Sequence, residues 1–498
     1  MIPRGSQPGI LYGLTKIHKR IAGNCPPIRP ILSAINTPTY NIAKFLVPIL
    51  SPVTSNQFTV QDSFKFSEEI RKHNKQFVMA SLDVDSLFTN IPLDETITIC
   101  VNELFKGKEK SKIHGLSKNQ LKELLTLATK QSFFLFNNNY FVQKDGVAMG
   151  NPLGPTLANA FLSFHEKNWL QNCPEHFRPL VYRRYVDDIF VLFKNHEQAN
   201  NFKTYLNNQH INMSFTLEIE KNDQLSFLDI NVSRNSDSIN YTTSLYRKPT
   251  FSGMYTNFKS FISIKYKYSL ISSLLYRVFK ICSNDELFKC EIEKLKLIWL
   301  KNGFPRRIID RLTKKFFDKI IITKSIRPTV AKKKLIISLE YLGKQSLEVK
   351  RRLENIIHEQ APFCKLNVTF SSNNKLKNLF SFKEKVPINL KSNVLYKFKC
   401  GDCNITYIGK TCRHFQTRYS EHLGISKVTN LPLKYNSKST TAVRDHIHTC
   451  SHKNSAGNFK IIGSAKNDFF LKIKESLNIH REKPLLNRTI KSFPLELF

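Results

Sequence analysis

The stretch "YRRYVDDIFVLF" (182–193) sets two adjacent carboxylates between two apolar runs. An apolar run, a tight turn and a second apolar run predict a β-hairpin with Asp187 and Asp188 at its tip. Two carboxylates about 4 Å apart repel each other by roughly 4 kcal/mol at an effective dielectric near 20. A neighbouring Lys or Arg would offset this repulsion, and so would a divalent cation. Taken alone, the stretch favours the basic neighbour, since Asp-Asp turns are common.

The composition indicates a polyanionic partner. The 498 residues include 76 Lys and Arg against 39 Asp and Glu, which gives a formal net charge of +37. A small-molecule enzyme does not need this charge, whereas nucleic acid or, as the alternative, a membrane surface would attract it. No apolar run approaches the ~20 residues of a spanning helix, and no signal peptide opens the chain. The cysteines are mostly scattered singly, which indicates reduced thiols in a cell interior.

Three zones follow one another along the chain. Residues 1–255 mix short β-branched or aromatic runs with helices, as an α/β or α+β domain would. Residues 256–385 turn helical and basic, with a predicted helix break at Gly303 and Pro305. Residues 390–498 combine strands, a close cysteine pair, several histidines and a closing helix, which predicts a small compact module.

Two further landmarks precede the hairpin. In "FVMASLDVDSLFTNIPLDE" (77–95) an apolar strand ends at Asp83, and a helix is predicted after Pro92. In "GVAMGNPLGPTLANAFLSFHE" (146–166) a Gly- and Pro-rich turn leads into a long apolar helix, and such a turn lets backbone approach a ligand closely. The order is therefore a carboxylate strand, a Gly-rich loop with its helix, and the Asp-Asp hairpin.

This ordered series resembles motifs A, B and C of reverse transcriptases. The wording "DVDSLFTNIP", "GVAMGNPLGPTLANAFL" and "YVDD" is most similar to Penelope-like retroelements, which are relatives of telomerase. Four shorter stretches add to the resemblance: "ILYGLTKIHK" (10–19), "IRPILS" (28–33), "LSFLDINV" (225–232) and "LYRKPT" (245–250). The resemblance implies an α+β right-hand polymerase, with fingers and palm in residues 1–255 and a basic helical thumb or linker in 256–385. A helical spacer is the alternative for the second zone.

The resemblance also implies a site for two Mg²⁺ ions that supports nucleotidyl transfer. Asp83 and Asp187 would bridge the ions, and Asp188 would support the primer side. The main-chain carbonyl of Val84 would complete the coordination on the nucleotide side. Asp85 points to the same face of a strand as Asp83, but the catalytic position of the family matches Asp83.

Further residues match substrate-binding positions of the same family. Phe88 matches the steric gate that excludes a 2′-OH and favours dNTPs, with core packing as the alternative. The Gly-rich loop would shape the floor beneath the incoming base and template, with a helix-entry turn as the alternative, through Gly150, Pro152 and Gly154. Lys16 and Arg29 are candidate clamps for the triphosphate, with general backbone binding as the alternative.

The stretch "NVLYKFKCGDCNITYIGKTCRHFQTRYSEHL" (393–423) resembles the GIY-YIG nuclease fold, which one large group of Penelope-like elements carries at this place. "VLY" stands where "GIY" is expected, so Val394 replaces the glycine. The resemblance implies phosphodiester hydrolysis with one Mg²⁺, and the residues it assigns are Tyr396 and Tyr407 for water activation, Arg418 for the phosphorane charge, His422 for proton transfer, Glu475 for the Mg²⁺ and Asn487 as a supporting amide. Core packing of the tyrosines and a surface charge at Glu475 are the alternatives.

The cysteine pair lies between the two tyrosine strands. Cys400 and Cys403, with His446 and His452 of "HIHTCSH" (446–452), fit a structural Cys2His2 zinc site, and the family carries such an insertion. His448 or Cys450 can replace one histidine in this assignment, and free thiols beside surface histidines are the alternative.

The predicted function is an RNA-directed DNA polymerase fused to a DNA-nicking GIY-YIG endonuclease, which mediates target-primed retrotransposition of a Penelope-like element. Its partners would be template RNA, primer or target DNA and dNTPs, with no membrane, and its location the nucleus. One alternative is a catalytically decayed or domesticated nucleic-acid-binding protein of the same fold, and another is a mobile-intron maturase. The chain starts close to the fingers motifs, so an N-terminally truncated copy is also expected.

Overall fold

The computed structural model describes residues 6–16, 26–74, 77–107, 112–234, 239–322, 333–372, 375, 379–380, 383–426, 429, 431–435, 440–465 and 467–488. Within these ranges the protein is a mixed α+β structure with five β-sheets. None of the helices in the described ranges combines the length and the apolar character that a bilayer-spanning segment requires.

The first 255 residues alternate strands and helices. The strands are β1 (Gly9–Thr15), β2 (Ile28–Ser33), β3 (Val78–Val84), β4 (Phe133–Phe136), β5 (Asn139–Val142), β6 (Val181–Tyr185), β7 (Asp188–Phe193), β8 (Phe215–Ile219), β9 (Gln224–Phe227), β10 (Ile230–Ser233) and β11 (Thr242–Leu245). The helices are α1 (Tyr40–Leu50), α2 (Ser63–Ile70), α3 (Leu87–Asn90), α4 (Leu93–Leu104), α5 (Lys118–Lys130), α6 (Gly154–Gln171) and α7 (His196–Asn207). The Asp-Asp hairpin, the helix after Pro92 and the long helix after the Gly-rich turn are thus confirmed as β6–β7, α4 and α6.

The antiparallel sheet β6-β7-β3-β8 carries this hairpin, and we call it the palm sheet. Successive side chains of a strand point to opposite faces, so Val191 packs with Phe161 of α6 in one core while Phe190 packs against α2 in another. Because both faces of β3 and β7 are buried, these strands read as nearly continuous apolar runs. The polar residues Asp83 and Asp188 stand at the end where the runs reach solvent.

A second sheet, ordered β2-β1-β4-β5, contains residues 10–15 of the first predicted fingers stretch and the whole of the second, 28–33; residues 17–19 of the first lie outside the described ranges. Helices α1, α4, α5 and α6 pack together beside it around side chains such as Leu46, Leu125 and Leu157. The backbone amide of Leu32 donates a hydrogen bond of 2.9 Å to the carbonyl of Met149. This bond fastens β2 to the Gly-rich loop that precedes α6.

Three helices follow the palm sheet, namely α8 (Ile264–Ile281), α9 (Asp285–Lys301) and α10 (Arg306–Ile322). They pack around the fully buried ring of Trp299. The predicted break is confirmed, because Gly303 adopts a left-handed φ of 79° and Pro305 precedes α10.

The structure departs from the helical pattern predicted for the rest of this zone. Strands β12 (Lys333–Glu340) and β13 (Cys364–Ser371) pair in parallel, joined by α11 (Lys344–Gln360). The local signal is modest: "KKLIISLE" has the β-branched pair Ile336–Ile337, and "CKLNVTFS" has the run Val368–Thr369–Phe370 of strand-favouring residues. Lys333, Lys334 and Lys365 lie within these strands, so a basic composition does not by itself indicate a helix.

The last zone is a small three-stranded sheet covered by helices. Its elements are β14 (Val394–Lys399), β15 (Thr406–Thr411), α12 (Phe415–Leu423), α13 (Ala442–Thr449), β16 (Phe459–Ser464) and α14 (Asp468–Glu482). The sheet is antiparallel in the order β15-β14-β16. The two tyrosine strands and the helix that follows them are therefore confirmed as β14, β15 and α12.

Candidate functional site

The palm sheet brings the predicted carboxylates of two strands to one place. Asp83 is paired directly with Asp188 in the β3–β7 ladder, and directly opposed residues project from the same face of a sheet. Asp187 lies in the turn, where its carbonyl oxygen accepts a 3.2 Å hydrogen bond from the backbone amide of Val84. We call this group of three carboxylates the aspartate edge.

Electrostatics at the aspartate edge favour a cation over a basic side chain. Burial, together with the charges of Asp187 and Asp83, raises the pKa of Asp188 to about 6, while the charge of Lys248 opposes the shift. The basic neighbour expected from the sequence is thus present as Lys248. Burial and the two carboxylate charges together outweigh the charge of Lys248 at Asp188, and oxygen ligands so arranged suit Mg²⁺.

A cavity of about 660 Å³ opens beside the aspartate edge. Asp83 and Asp188 line it together with Lys248, Arg277 of α8 and the β9–β10 turn. Sequence reasoning did not assign a role to Lys248 or Arg277. The signal available for Lys248 was its place in "LYRKPT", whereas the position of Arg277 depends on how α8 packs against the palm.

Asp85 has partners of its own beyond the end of β3. Its backbone amide donates to the carbonyl of Ser214 at 2.8 Å, and its carboxylate accepts a 3.1 Å hydrogen bond from the hydroxyl of Ser86. The cavity beside the aspartate edge is lined by Asp83 and Asp188 and not by Asp85.

The residues predicted to form the floor of a nucleotide site lie close to Phe88 and β2. A Cβ atom on Gly154 would lie 3.6 Å from the ring of Phe88, so this half-buried ring rests beside the start of α6. Gly150 adopts a φ of 123°, and a Cβ atom there would come within 2.2 Å of the Leu32 carbonyl oxygen. Only glycine fits such an approach, so the loop through Pro152 lies directly against β2.

The two candidate triphosphate clamps lie on the fingers sheet. Lys16 follows the end of β1, where its backbone amide donates to the carbonyl of Pro27 at 2.8 Å. Arg29 is exposed on β2, opposite Leu14. Both lie at the same end of the β1–β2 ladder, whereas the cavity beside the aspartate edge is lined by palm and α8 residues.

In the last zone, Tyr396 stands at the centre of a buried hydrogen-bond chain. Arg418 Nε donates to its hydroxyl at 3.1 Å, so the hydroxyl proton is free to donate to His422 Nε2 at 2.7 Å. The remaining ring proton of His422, on Nδ1, then donates to Thr441 Oγ1 at 2.8 Å. We call Tyr396, Tyr407, Arg418, His422 and Glu475 the tyrosine cluster.

The pKa shifts in the tyrosine cluster agree with this assignment of protons. Burial, reinforced by the charge of Arg418, lowers the pKa of His422 to about 3, so its ring is neutral and able to accept. Burial also raises the pKa values of Tyr396 and Tyr407, and the charge of Glu475 adds to both shifts. Tyr396 is fully buried whereas Tyr407 is partly exposed, so Tyr407 is the tyrosine that meets solvent.

Neighbouring residues of the same zone fit around this cluster. The side-chain amide of Asn487 makes two hydrogen bonds to the backbone of Ile408: its Oδ1 accepts from the Ile408 amide at 2.9 Å, and its Nδ2 donates to the Ile408 carbonyl at 2.8 Å. A Cβ atom on Gly409 would lie 2.7 Å from the Tyr396 hydroxyl, so glycine is required next to the ring. Val394, by contrast, is buried in the core, so the position of the missing glycine accommodates valine.

The predicted zinc ligands converge. The ligand atoms of Cys400, Cys403, His446 and His452 all lie within 4.8 Å of one another. Cys400 Sγ lies 3.3 Å from His452 Nδ1, and Cys403 Sγ lies 3.4 Å from His446 Nε2. These two ring nitrogens, His452 Nδ1 and His446 Nε2, are 3.3 Å apart. Zinc–sulfur and zinc–nitrogen bonds of tetrahedral sites predict edges of about 3.3–3.6 Å. The four donors therefore fit one tetrahedral ion.

The alternative ligands are placed differently. The ring of His448 stacks on Tyr435 with centroids 3.7 Å apart and planes within 5°. Cys450 is exposed, with its sulfur 3.7 Å from Nδ1 of His446, the nitrogen of that ring that faces away from the cluster. The geometry therefore selects His446 and His452.

A second His-carboxylate group was missed by sequence reasoning. Glu95 of α4 contacts His165 Nε2 at 2.9 Å and His210 Nε2 at 3.2 Å. The other ring nitrogen of His210 accepts a hydrogen bond from the backbone amide of Asn212, so Nε2 carries the proton of the neutral ring. This arrangement makes Glu95 a hydrogen-bond acceptor for His210 rather than a co-ligand of a metal.

Residues 17–244 match the family model described as "Reverse transcriptase (RNA-dependent DNA polymerase)", and residues 254–314, which span α8, α9 and part of α10, match "Animal helix-turn-helix domain". A search of curated proteins found no match.

Several solved polymerases are similar to the structure. Telomerase from Candida albicans, in complex with a TWJ fragment of telomeric RNA, is 10% identical, with 64% of this chain and 57% of that chain covered and a TM-score of 0.40. Apo telomerase from Candida tropicalis is 12% identical over 64% and 59%, with a TM-score of 0.38. The Sicinivirus 3Dpol RNA-dependent RNA polymerase is 13% identical over 64% and 69%, with a TM-score of 0.37.

The alignments thus span between 54% and 59% of the Candida telomerase chains. The family match contains all three carboxylates of the aspartate edge and ends one residue before Leu245. This chain therefore contains a region, residues 17–244, that matches the reverse transcriptase family and holds the aspartate edge.

Proposed function

We propose that the protein copies RNA into DNA at the aspartate edge. The observation that carries this proposal is the direct pairing of Asp83 with Asp188 at the mouth of a 660 Å³ cavity inside the region that matches the reverse transcriptase family. Asp83 and Asp187 would hold two Mg²⁺ ions between them, and Asp188 and the Val84 carbonyl would complete the ligand set. Bound Mg²⁺ supplies activation of the primer 3′-OH and charge neutralisation on the triphosphate.

The chain's own residues select and orient the substrates of this reaction. The ring of Phe88, packed against Gly154, would exclude a ribose 2′-OH and so favour dNTPs. Lys16 and Arg29 would contact the triphosphate from the fingers, and α8 to α10 would grip the primer–template duplex. With a net charge of +37, binding through about 6–10 phosphates falls roughly 10³–10⁵-fold between 50 and 200 mM salt.

The tyrosine cluster supports a second activity, the nicking of DNA. Tyr407 meets solvent and would orient the attacking water, while Tyr396 donates a hydrogen bond to His422, which would assist proton transfer. Arg418 would stabilise the charge that develops on the phosphorus oxygens. Glu475, buried beside both tyrosines, would hold one Mg²⁺, which supplies Lewis-acid assistance when bound.

The Cys400–Cys403–His446–His452 group would hold a structural zinc ion in the same module. Zinc at this place would tie α13 to the turn after β14. Purified protein should carry one zinc per chain, and Cys403→Ser should lose it, whereas the exposed Cys290→Ser variant should keep it. Equal zinc content in both variants would refute the assignment.

Together these activities fit the target-primed retrotransposition of a Penelope-like element in the nucleus. A nick exposes a 3′-OH, and a fused polymerase holds that end at high effective concentration. The alternative is a domesticated nucleic-acid binder of the same fold that has no catalysis. Retention of every carboxylate at the aspartate edge favours the enzyme.

Primer extension on an RNA template tests the polymerase. We expect wild-type protein to extend a DNA primer with Mg²⁺ and dNTPs, and Asp187→Asn to fail. Asp85→Asn is the matched control, since it removes a nearby carboxylate that accepts a hydrogen bond from the Ser86 hydroxyl and does not belong to the aspartate edge. Equal extension by Asp187→Asn and wild type would eliminate the proposed site, and an inactive wild type that still binds RNA would favour the domesticated binder.

Nicking of supercoiled plasmid tests the second activity. Glu475→Ala should abolish nicking and leave primer extension unchanged. Glu482→Ala is the matched control, because Glu482 lies on the same helix and pairs with Lys397 away from the tyrosines. Nicking that persists in Glu475→Ala would move the catalytic metal elsewhere.

A further inference from the structure

The turn that carries the aspartate edge contains a strained residue. Tyr185 pairs with Asp188, so Val186 and Asp187 form a two-residue hairpin loop. Val186 has a left-handed φ of 58°. The first central position of such a loop normally takes glycine, and a β-branched residue there is a genuine outlier that persists only when its surroundings hold it.

A fully buried guanidinium lies directly beneath this turn. Arg184 is 0% exposed, and its Nη1 donates to the carbonyl oxygen of Val186 at 3.1 Å. Nη1 also donates to Asn159 at 2.8 Å, and Nη2 donates to Ser163 at 2.9 Å. Both partners belong to α6, the helix that starts at the Gly-rich loop.

The charge of Arg184 is balanced by one buried carboxylate. Arg184 Nε donates to Glu166 Oε1 at 2.5 Å, and Glu166 is 1% exposed. Glu166 also accepts from the hydroxyl of Tyr182 at 2.8 Å and from Asn56 at 2.9 Å. A buried ion pair is weak evidence for stability, because replacing both partners by apolar residues is often neutral or stabilising. A role in placing the turn is therefore the better explanation.

We infer that Arg184 is a positioning residue for the aspartate edge. Its guanidinium, fixed to α6 by Glu166, Ser163 and Asn159, holds the Val186 carbonyl and so maintains the strained turn. That turn sets Asp187 and Asp188 against Asp83 before any ion binds. This inference rests on the proposed polymerase function, and its effect should appear as weaker binding of divalent ions.

The decisive measurement is the Mg²⁺ dependence of primer extension, with direct Mn²⁺ binding by electron paramagnetic resonance as a readout that needs no activity. Arg184→Met should raise the half-saturating Mg²⁺ concentration at least ~10-fold, which corresponds to about 1.4 kcal/mol, and weaken Mn²⁺ binding similarly. Arg183→Met is the matched control, since it removes the same charge from the neighbouring position, where the side chain pairs with Glu69. That control should keep the wild-type metal dependence.

Two further variants separate placement from folding. Val186→Gly relieves the strain, so combining it with Arg184→Met should recover much of the lost metal affinity. The double variant Arg184→Met with Glu166→Met should melt near the wild-type temperature, because it leaves no buried charge without its partner. It should still bind metal weakly, because the hydrogen bond from Arg184 to the Val186 carbonyl is absent.

Unchanged metal dependence in a folded Arg184→Met variant would overturn the inference, and so would recovery of metal affinity by the apolar pair. Failure of the polymerase proposal looks different. In that case wild-type protein would not extend primers at all, while the Mn²⁺ titrations would still report on Arg184.

Discussion

The aspartate edge and the tyrosine cluster assemble reactive polar groups in opposite ways. The aspartate edge collects three carboxylates of like charge. The charge of Lys248 opposes the rise in the pKa of Asp188 but does not cancel it. The tyrosine cluster instead links a donor, a relay and an acceptor, from Arg418 through Tyr396 to His422, so that its groups satisfy one another. The first arrangement gathers like charges that cations would offset, whereas the Arg418–Tyr396–His422 chain pairs its polar groups within the protein.

This difference predicts opposite consequences for stability. Removing a charge from the aspartate edge removes repulsion, so the metal-free fold should gain stability while catalysis is lost. Removing a hydroxyl from the tyrosine cluster leaves buried partners unsatisfied, which costs stability along with catalysis. The sign of the stability change therefore distinguishes the two designs.

The largest effect is expected for Asp83→Asn. Loss of a ligand shared by two ions should lower primer extension at least ~10³-fold, about 4 kcal/mol of transition-state stabilisation. In EDTA the same variant should melt at a higher temperature than wild type, because one of the repelling charges is gone. Asp85→Asn should change neither quantity. A lower melting temperature for Asp83→Asn would contradict the comparison.

Tyr396→Phe tests the other side. Proton transfer by a positioned group is worth roughly 10²–10⁴-fold, so nicking should fall at least about 10²-fold. Unfolding should become easier by about 1–3 kcal/mol, since Arg418 and His422 lose a buried partner. Tyr419→Phe is the control. Tyr419 lies on α12, the helix that carries Arg418 and His422, and its partly exposed ring packs against Phe415. A fully stable Tyr396→Phe variant would show that the hydrogen-bond chain is dispensable.

The sequence predicted the aspartate edge better than the surroundings that complete it. Two apolar runs around a tight turn were sufficient to predict the β6–β7 hairpin. The order of the sequence motifs was sufficient to predict that Asp83 lies beside it. The contribution of Lys248 depends on packing between distant segments, which no local pattern encodes. Arg184 was hidden for a related reason, since an arginine in a strand next to a turn reads as a surface residue until α6 is seen to cover it.

The last zone shows the same division. The ligand set of the Cys/His group followed from residue types, but choosing His446 over His448 required the stacking of His448 on Tyr435. Thr441, whose hydroxyl accepts the hydrogen bond from His422 Nδ1, was not predicted because it precedes α13 and resembles an ordinary helix cap. The parallel pair β12–β13 was missed because lysine-rich runs with β-branched residues fit either helix or strand.

A smaller effect is expected from Gly409→Ala, which sharpens the claim that the tyrosine cluster is closely packed. The added methyl would lie 2.6 Å from Tyr407 Cε1 and 2.7 Å from the Tyr396 hydroxyl. Overpacking of this kind costs about 1–3 kcal/mol, so urea denaturation should show that loss together with reduced nicking. Gly463→Ala on β16 is the control, because its methyl would meet Leu395 at an ordinary 3.8 Å. Equal stability of the two variants would contradict close packing around Gly409.

The gentlest test is the pH dependence of stability in EDTA, where the two sites should act in opposite directions. The folded pKa of Asp188, about 6, lies above its ordinary 3.8, so its contribution to stability is present at low pH and is lost as pH rises through about 6. The folded pKa of His422, about 3, lies below its ordinary 6.5. Its contribution is therefore present above about pH 6.5 and is lost as pH falls towards 3.

Variants isolate each of these pH contributions. Asp188→Asn should remove the loss of stability between about pH 4 and 6, and His422→Gln should remove part of the loss on acidification below about pH 6.5. Urea midpoints measured across pH 4 to 7.5 in EDTA would report both slopes. Saturating Mg²⁺ should abolish the Asp188 contribution, because bound cations favour its ionised form, and should leave the His422 contribution in place. Slopes of the same sign at the two sites would mean that charge repulsion does not distinguish the aspartate edge from the tyrosine cluster.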